Sequence, residues 1–183
     1  MIRLFAALQI PQEIGQALAR RQAGVEGARW RPLDSLHLTL RFFGEVREDV
    51  ARDLDAELSS VRGQAFEIEL AGVGAFGDGP DIHAIWAGVA ESEPLRRLAK
   101  ACETAARRAG LKAEGRHYRP HVTLAYLRHA DPVEVAAWIQ ANNLVKSPPI
   151  RMGSFGLYSS FLGSEQAHYR LEAEYPLLPS PLR

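Results

Sequence analysis

The order of apolar and polar positions along the chain predicts short strands that alternate with amphipathic helices. Apolar runs and alternating stretches indicate strands at residues 2–8, 37–43, 66–70, 82–89, 121–127, 150–158 and 167–171. Apolar residues at helical spacing, with caps or acidic first turns, indicate helices at residues 12–24, 48–61, 92–109 and 132–141. The glycine-rich stretch AGVGAFGDGP, residues 71–80, is interpreted as a turn region.

These predicted elements occur twice in the same order: strand, helix, strand containing H-x-T-L, helix, strand. His37 follows Ile2 by 35 positions, and His121 follows Ile82 by 39 positions. Such spacing is typical of a duplicated unit. It predicts an α+β, bilobal fold with a pseudo-two-fold axis, in which two antiparallel sheets line a central cleft and helices cover the outer faces. Residues 1–183 would form a single domain made of two similar lobes.

Composition narrows the class of protein without naming a partner. The chain has 183 residues, 46% of them apolar, and 22 basic residues balance 22 acidic ones. This is typical of a soluble globular protein, and any phosphate recognition must come from a local cluster of charge. The single cysteine, Cys102, fits a reducing compartment. With no signal peptide or membrane span in the sequence, we expect a cytoplasmic monomer.

The tetrapeptide H-x-T-L, at residues 37–40 and again at 121–124, is the strongest functional signal. The chain has only three threonines, so chance would give roughly 0.01 such tetrapeptides. Two copies therefore indicate a functional role for these histidines rather than a structural one. Strand alternation places His37, Thr39 and Arg41 on one face and Leu38, Leu40 and Phe42 on the other. His121 and Thr123 share a face in the second strand, so the two polar faces would meet across a groove.

Two histidines and two threonines on such faces suit the chemistry of phosphate esters. Histidine has an ordinary pKa near 6.5, so one imidazole can accept a proton while the other donates one. The threonine hydroxyls can hold the non-bridging oxygens of the phosphate. This scheme requires neither a metal nor an organic cofactor.

The paired motifs and their flanks, RLFAAL, HLTLRFFGEV, RPHVTLA and LYSSFLGSEQAHYRLEAEYPL, resemble the two-histidine phosphoesterase superfamily. Within it they are most similar to the RNA 2′,3′-cyclic phosphodiesterases, historically called 2′-5′ RNA ligases. The resemblance implies opening of a 2′,3′-cyclic phosphate at an RNA end to a 2′-phosphate, with weak reverse joining. It implies His37 and His121 as the catalytic pair, with Thr39 and Thr123 binding phosphate. We assign water activation to His121 and protonation of the leaving oxygen to His37.

Substrate-binding candidates lie beside the motifs. Six arginines lie within about eight residues of an H-x-T-L motif: Arg29, Arg31, Arg41, Arg116, Arg119 and Arg128. Arg41 is the favoured phosphate contact, because strand alternation places it on the face of His37. Arg119 is next, because it lies just before the second motif. Aromatic side chains such as Phe42 are candidates for stacking on a base. Tyr126 stands where similar proteins often have a basic residue, so either Arg128 supplies the missing charge or Tyr126 contacts the substrate itself.

Two other functions remain open from the sequence. The same catalytic pair would also suit small cyclic nucleotides, and a binding module would hold a nucleotide or RNA without turnover. His117 and His121 have the spacing of a helical zinc pair, but Pro120 between them opposes a helix. We expect His83 and His168 to be structural or exposed, and Cys102 to pack in the core. The glycine-rich stretch lacks the features of a phosphate-binding P-loop.

Overall fold

The computed structural model describes residues 1–163 and 167–180. Its strands are β1 Ile2–Gln9, β2 Ala28–Trp30, β3 His37–Val46, β4 Phe66–Ile68, β5 Leu70–Phe76, β6 Ala84–Val89, β7 His121–Leu127, β8 Ile150–Met152, β9 Ser154–Leu162 and β10 Ala167–Pro176. Its helices are α1 Gln12–Ala19, α2 Glu48–Ser59, α3 Glu93–Arg108 and α4 Pro132–Asn142. None of these helices combines the length and the apolar character that crossing a membrane requires.

Within the part of the chain that the structure describes, eight strands form one antiparallel sheet, and β4 and β8 form a second sheet of two strands. The main sheet has the order β10-β9-β1-β3-β7-β6-β5, with β2 paired to β7. Its two halves meet at the pair Leu38–Val122 between β3 and β7. The prediction of an α+β fold built from antiparallel sheets is confirmed.

The two halves exchange strands around the pseudo-two-fold axis. β1 pairs with β3 in the first half, and β6 pairs with β7 in the second. The strand that follows β4 then joins the second half beside β6, while the strand that follows β8 joins the first half beside β1. Each half of the sheet therefore contains strands from both halves of the sequence.

Two single strands predicted from the sequence are each two strands. The predicted strand at residues 150–158 divides at Gly153 into β8 and β9, which lie in different sheets. The predicted strand at residues 66–70 ends at Ile68, and β5 begins at Leu70. Local alternation cannot show such a division, because the chain stays extended while its hydrogen-bond partner changes.

The glycine-rich segment was wrongly interpreted as a turn, since most of it is β5. Gly74 pairs with Trp86 of β6, and a Cβ on Gly74 would lie 2.4 Å from Cζ2 of that indole ring. The glycine permits close approach of the ring, which is a recognised use of glycine in strands. The short strand β2 was not predicted, and α1 ends at Ala19 rather than near Gly24.

The helices and the main core lie on one face of the sheet. α3 contacts β3 and α2, and α4 contacts β5. α3 begins as predicted, with the Ser92 hydroxyl accepting a hydrogen bond from the Leu95 backbone amide at 3.4 Å. Leu38, Leu40, Val122 and Leu124 are buried on this face. Their burial fixes both motif strands, so the alternate side chains are directed to the opposite face.

Candidate active site

The two H-x-T motifs meet where the halves of the sheet join. Leu38 and Val122 form the single β-pair between β3 and β7, and both are fully buried against the helices. Their chain neighbours must point the other way, because side chains alternate along a strand. That opposite face of the sheet, here called the cleft face, carries His37, Thr39, His121 and Thr123.

The register places the four polar residues at the corners of a quadrilateral. Continuing the antiparallel pair in both directions sets His37 across from Thr123 and His121 across from Thr39. The histidines occupy one diagonal and the threonines the other. A phosphate group at the centre would have an imidazole on two sides and a hydroxyl on the other two.

A β-bulge follows the threonine of each motif at the same place. In β3, Thr39 and Arg41 pair with consecutive residues of β1, so Leu40 is the extra residue. In β7, Thr123 and Ala125 likewise pair with consecutive residues of β6. A bulge adds one residue to a strand and reverses the alternation beyond it. The side chains directly after each bulge therefore lie on the face opposite to that expected from the sequence, until a second register shift between Phe42 and Gly44 restores the alternation in β3.

Arg41 does not lie on the cleft face, so its predicted placement beside the histidines was wrong. Its Nε donates to the carboxylate of Glu103 on α3 at 2.5 Å, and its Nη2 donates to the Lys112 carbonyl at 2.8 Å. The bulge at Leu40 turns the side chain towards the helices. Arg41 joins β3 to α3 and the segment after it.

The same bulges place the side chains of Phe42 and Tyr126 on the cleft face. Phe42 pairs with Phe5, stacks on that ring at a centroid distance of 6.4 Å and is 37% exposed. Tyr126 stands at the equivalent place beyond the second bulge and is 47% exposed. The structure therefore puts an exposed aromatic ring on the cleft face of each half.

Each candidate catalytic histidine packs against an aromatic ring on a strand that comes from the other half of the sequence. The His37 imidazole lies 4.7 Å from the Tyr158 ring of β9, centroid to centroid, and the His121 imidazole lies 4.8 Å from the Phe76 ring of β5. Tyr158 and Phe76 are symmetry equivalents, two strands away from the motif. Neither was a candidate from the sequence, because the pairing that brings them to the histidines is long-range. Tyr169 of β10 also contacts His37, at 5.6 Å.

His121 is held in one orientation by the backbone. Its Nδ1 lies 2.6 Å from the Arg119 carbonyl oxygen, which can only accept a hydrogen bond. Nδ1 therefore carries a proton, and Nε2 is free to accept one when the ring is neutral. Burial lowers the pKa of His121, the Arg119 carbonyl opposes this shift, and the Arg119 charge lowers the pKa further. His121 is thus suited to accept a proton.

His37 has a different charge environment. It is only 9% exposed, and burial lowers its pKa from the ordinary value. The Ser35 carbonyl and the Asp34 carboxylate oppose that shift, while the Arg31 guanidinium reinforces it. The Ser35 carbonyl lies two residues before His37, as the Arg119 carbonyl lies two residues before His121. Its contact with Nδ1 of His37, however, does not reach hydrogen-bond geometry. Among the neighbours of the two histidines, Asp34 is the carboxylate that favours an imidazolium.

The remaining arginine candidates differ in their distance from the motifs. Arg119 is exposed two residues before His121 and contributes its carbonyl oxygen to that ring. Arg128 is exposed just beyond the end of β7, at the opposite end of that strand from His121. Arg31, which the sequence offered only as one of six, is buried beside His37.

The residues expected to have no catalytic role lie outside the quadrilateral. His83 is exposed, with Nδ1 3.0 Å from the Asp81 carbonyl oxygen, and His168 is exposed on β10. Cys102 is fully buried on α3, and burial raises the pKa of its thiol to about 12. It packs in the core as predicted.

Two imidazoles and two hydroxyls at one place suit acid–base chemistry on a phosphate ester, and comparison with known proteins gives the family. The model of the 2′-5′ RNA ligase superfamily matches residues 10–158, and the chain belongs to this superfamily. A curated relative from Archaeoglobus fulgidus, an RNA 2′,3′-cyclic phosphodiesterase, is 28% identical over 172 residues, which cover 92% of this chain and 97% of that protein. A relative of the same description from Methanocaldococcus jannaschii is 32% identical over 133 residues, covering 71% and 74% of the respective chains.

A solved structure shares the fold over nearly its whole length. E. coli LigT complexed with 3′-AMP superposes with a TM-score of 0.79 at 26% identity, covering 96% of this chain and 98% of that one. The resemblance inferred from the paired motifs is therefore confirmed.

Proposed function

We propose that this protein is an RNA 2′,3′-cyclic phosphodiesterase that opens a terminal 2′,3′-cyclic phosphate to a 2′-phosphate. The observation that carries the proposal is the meeting of both His-Thr pairs at the single β3–β7 pair, in a member of the 2′-5′ RNA ligase superfamily. We also infer a single cytoplasmic, monomeric domain of two lobes, and weak 2′-5′ joining when the reaction runs in reverse. Size-exclusion chromatography with light scattering checks the monomer.

The arrangement of the site gives each residue a role in an in-line displacement. Nε2 of His121 takes a proton from a water molecule as its oxygen forms a bond to phosphorus. The bond from phosphorus to the ribose 3′ oxygen breaks, and His37 gives that oxygen a proton. The Thr39 and Thr123 hydroxyls donate hydrogen bonds to the non-bridging oxygens, where charge grows in the transition state. The products are a 2′-phosphate and a free 3′ hydroxyl.

The charges around the histidines support this division of roles. A general acid must be protonated before the reaction, and Asp34 favours the imidazolium of His37. A general base must be neutral. An arginine charge lowers the pKa of each histidine, Arg31 at His37 and Arg119 at His121, so the charge that distinguishes them is Asp34, which acts on His37. The ring orientation set by the Arg119 carbonyl leaves Nε2 of His121 as the acceptor.

The function is tested with an oligonucleotide that ends in a 2′,3′-cyclic phosphate, incubated with the protein in the presence of a chelator. We expect a 2′-phosphate product, identified by phosphorus NMR and mass spectrometry. His37→Ala and His121→Ala should each lower kcat by about 10²- to 10⁴-fold, because each removes a positioned acid or base. His168→Ala, an exposed histidine on β10, is the control and should retain the activity of the unaltered protein.

Three outcomes would contradict the proposal in different ways. A 3′-phosphate product would show that the other ester bond breaks, and loss of turnover with chelator would show that a metal takes part. Turnover of mononucleoside 2′,3′-cyclic phosphates without turnover of the oligonucleotide would assign the site to small nucleotides. Binding of RNA without any product would indicate a binding module.

A further inference from the structure

Three buried side-chain nitrogens in residues 1–163 and 167–180 lack a hydrogen-bond partner: Nη2 of Arg31, Nδ1 of His37 and Nε1 of Trp86. All three belong to side chains around the His-Thr quadrilateral. Trp86 pairs with Thr123 across β6 and β7, and its ring lies 6.4 Å from His121. Buried donors are normally satisfied, since an unpaired one costs about 1–3 kcal/mol. The Ser35 carbonyl lies beside Nδ1 of His37, so the unpaired donors of Arg31 and Trp86 are the ones that indicate a ligand with acceptor groups on this face.

Arg31 is the member of this group that carries a permanent charge. The residue is 6% exposed, follows β2 directly and is tied to β7 by a hydrogen bond from its backbone amide to the Leu124 carbonyl at 2.8 Å. Its side chain forms no salt bridge with a carboxylate of the described residues, whereas Arg41 on the helix side has Glu103. A buried cation without an anion is costly in free energy.

Two tyrosines hold the Arg31 guanidinium on the cleft face beside His37. Its Cζ atom lies 5.5 Å from the ring centre of Tyr126 and 5.3 Å from that of Tyr169. Tyr126 belongs to the second half of the sheet and Tyr169 to the first, so the guanidinium lies between the halves. The Tyr169 ring in turn contacts His37, whose pKa the Arg31 charge lowers. The rings fix the cation in position but provide no negative charge.

We propose that Arg31 is a phosphate-binding residue, which donates hydrogen bonds to an anionic oxygen of the phosphate held between His37 and His121. The planar guanidinium suits a phosphate, and stacking between two rings reduces the conformational freedom lost on binding. The phosphate would be the missing partner of the buried cation. This inference rests on the proposed function for the identity of the substrate, but the binding of phosphate can be measured without turnover.

The first test measures binding of inorganic phosphate by calorimetry at low ionic strength to the unaltered protein, Arg31→Gln, Arg31→Met and Arg31→Lys. Loss of a hydrogen bond to a charged group should weaken phosphate binding by about 10- to 100-fold in the Gln and Met variants. The Lys variant keeps the charge without the fork and should be intermediate. The control is Arg170→Gln. Arg170 also lies over an aromatic ring, 5.2 Å from the centre of Phe161. It follows Tyr169 directly on β10, so its side chain points to the opposite face of the sheet.

Two results would overturn the inference, whether or not the protein turns over RNA. One is unchanged phosphate binding in Arg31→Gln and Arg31→Met. The other is equal weakening in Arg170→Gln, which would show a general effect of surface charge. Melting temperatures separate an effect on binding from an effect on folding. If Arg31 serves the ligand, Arg31→Met should not lower the melting temperature. If Arg31 is purely structural, Arg31→Met should lower the melting temperature and leave phosphate binding intact.

A second test identifies which phosphate Arg31 contacts. A mononucleoside 2′,3′-cyclic phosphate has only the reacting phosphate, while a dinucleotide with the same end adds a phosphodiester. If Arg31 binds the reacting phosphate, Arg31→Gln lowers kcat/KM by a similar factor for both substrates. A loss confined to the dinucleotide would refute contact with the reacting phosphate. If the unaltered protein hydrolyses neither substrate, the proposed function fails and the calorimetry alone decides the role of Arg31.

Discussion

Each catalytic candidate is a buried histidine whose pKa lies below the ordinary value of 6.5. Burial is the largest cause in both, because a low-dielectric surrounding disfavours the imidazolium. Above pH 6.5 both rings are therefore mostly neutral in the free protein, and the protonated form needed as the acid is the minority. Bound phosphate would favour the protonated form of the pair, so substrate and proton should bind together.

The pH dependence of kcat/KM should reflect these lowered pKa values. Activity requires one neutral and one protonated histidine, which gives a bell-shaped profile. Since both pKa values lie below 6.5, the maximum should fall on the acidic side of pH 6.5. A profile centred at pH 7.5 or above would contradict the lowered pKa values.

Asp34→Asn tests which limb belongs to His37. Removing this carboxylate should lower the pKa of His37 further and move the alkaline limb to lower pH, provided that His37 is the acid. The exposed Asp49, which pairs with Arg47, offers the control Asp49→Asn and should leave the profile unchanged. The shift should shrink as salt is added, because exposed charges are screened. Movement of the acidic limb instead would reverse the assigned roles.

At the level of elements, a matching bulge in β3 and β7 decides which side chains reach the substrate. It turns Arg41 towards α3 and brings Phe42 and Tyr126 to the cleft face. The glycine at position 74 has a related role, since it leaves room for the Trp86 ring beside Thr123. The site therefore depends on how neighbouring strands pair as much as on the motif strands themselves.

Gly74→Ala should displace Trp86 and disturb the phosphate site. The new Cβ would lie 2.4 Å from Cζ2 of that ring, so the indole must move. Overpacking of this kind costs about 1–3 kcal/mol in the free energy of unfolding. We expect a lower denaturation midpoint in urea and a lower kcat/KM.

Gly153→Ala is the matched control for this substitution. A Cβ at Gly153 would meet nothing within 4 Å, and the residue does not have a positive φ angle. The change should leave activity intact and stabilise the protein by up to about 1 kcal/mol, because alanine restricts the unfolded chain. If both variants behave alike, close packing of Trp86 on β5 has no part in the site.

At the level of the whole molecule, the exchange of strands joins the two halves into one folding unit. β1 lies between β3 and β9, and β6 lies between β5 and β7. A fragment of residues 1–91 would contain β1 and β6 but would lack β7 and β9, leaving apolar strands without neighbours. Natural domains are stable by only about 5–15 kcal/mol, so such a loss should prevent folding.

The fragments 1–91 and 92–183, produced separately, should each lack cooperative thermal unfolding in circular dichroism. Mixed together, they should recover a cooperative transition, since each supplies strands that the other needs. The intact chain is the control. A cooperative transition in fragment 1–91 alone would show that the first half folds without the second.

The sequence by itself determined the motif strands, their apolar faces and the quartet of candidate catalytic residues. These features follow from alternation and from repetition of H-x-T-L, both of which are local. His37, Thr39, His121 and Thr123 could be assigned because the buried leucine or valine beside each of them fixes the face of the strand.

Only the tertiary structure decided what surrounds that quartet. Strand exchange brings Tyr158 and Phe76 to the histidines, the bulges reverse Arg41, Phe42 and Tyr126, and burial between two tyrosines distinguishes Arg31 from five other arginines. The physical reason is the same in each case. Hydrogen-bond register and partner choice depend on strands that are distant in sequence, whereas periodicity records only the local exposure of a chain.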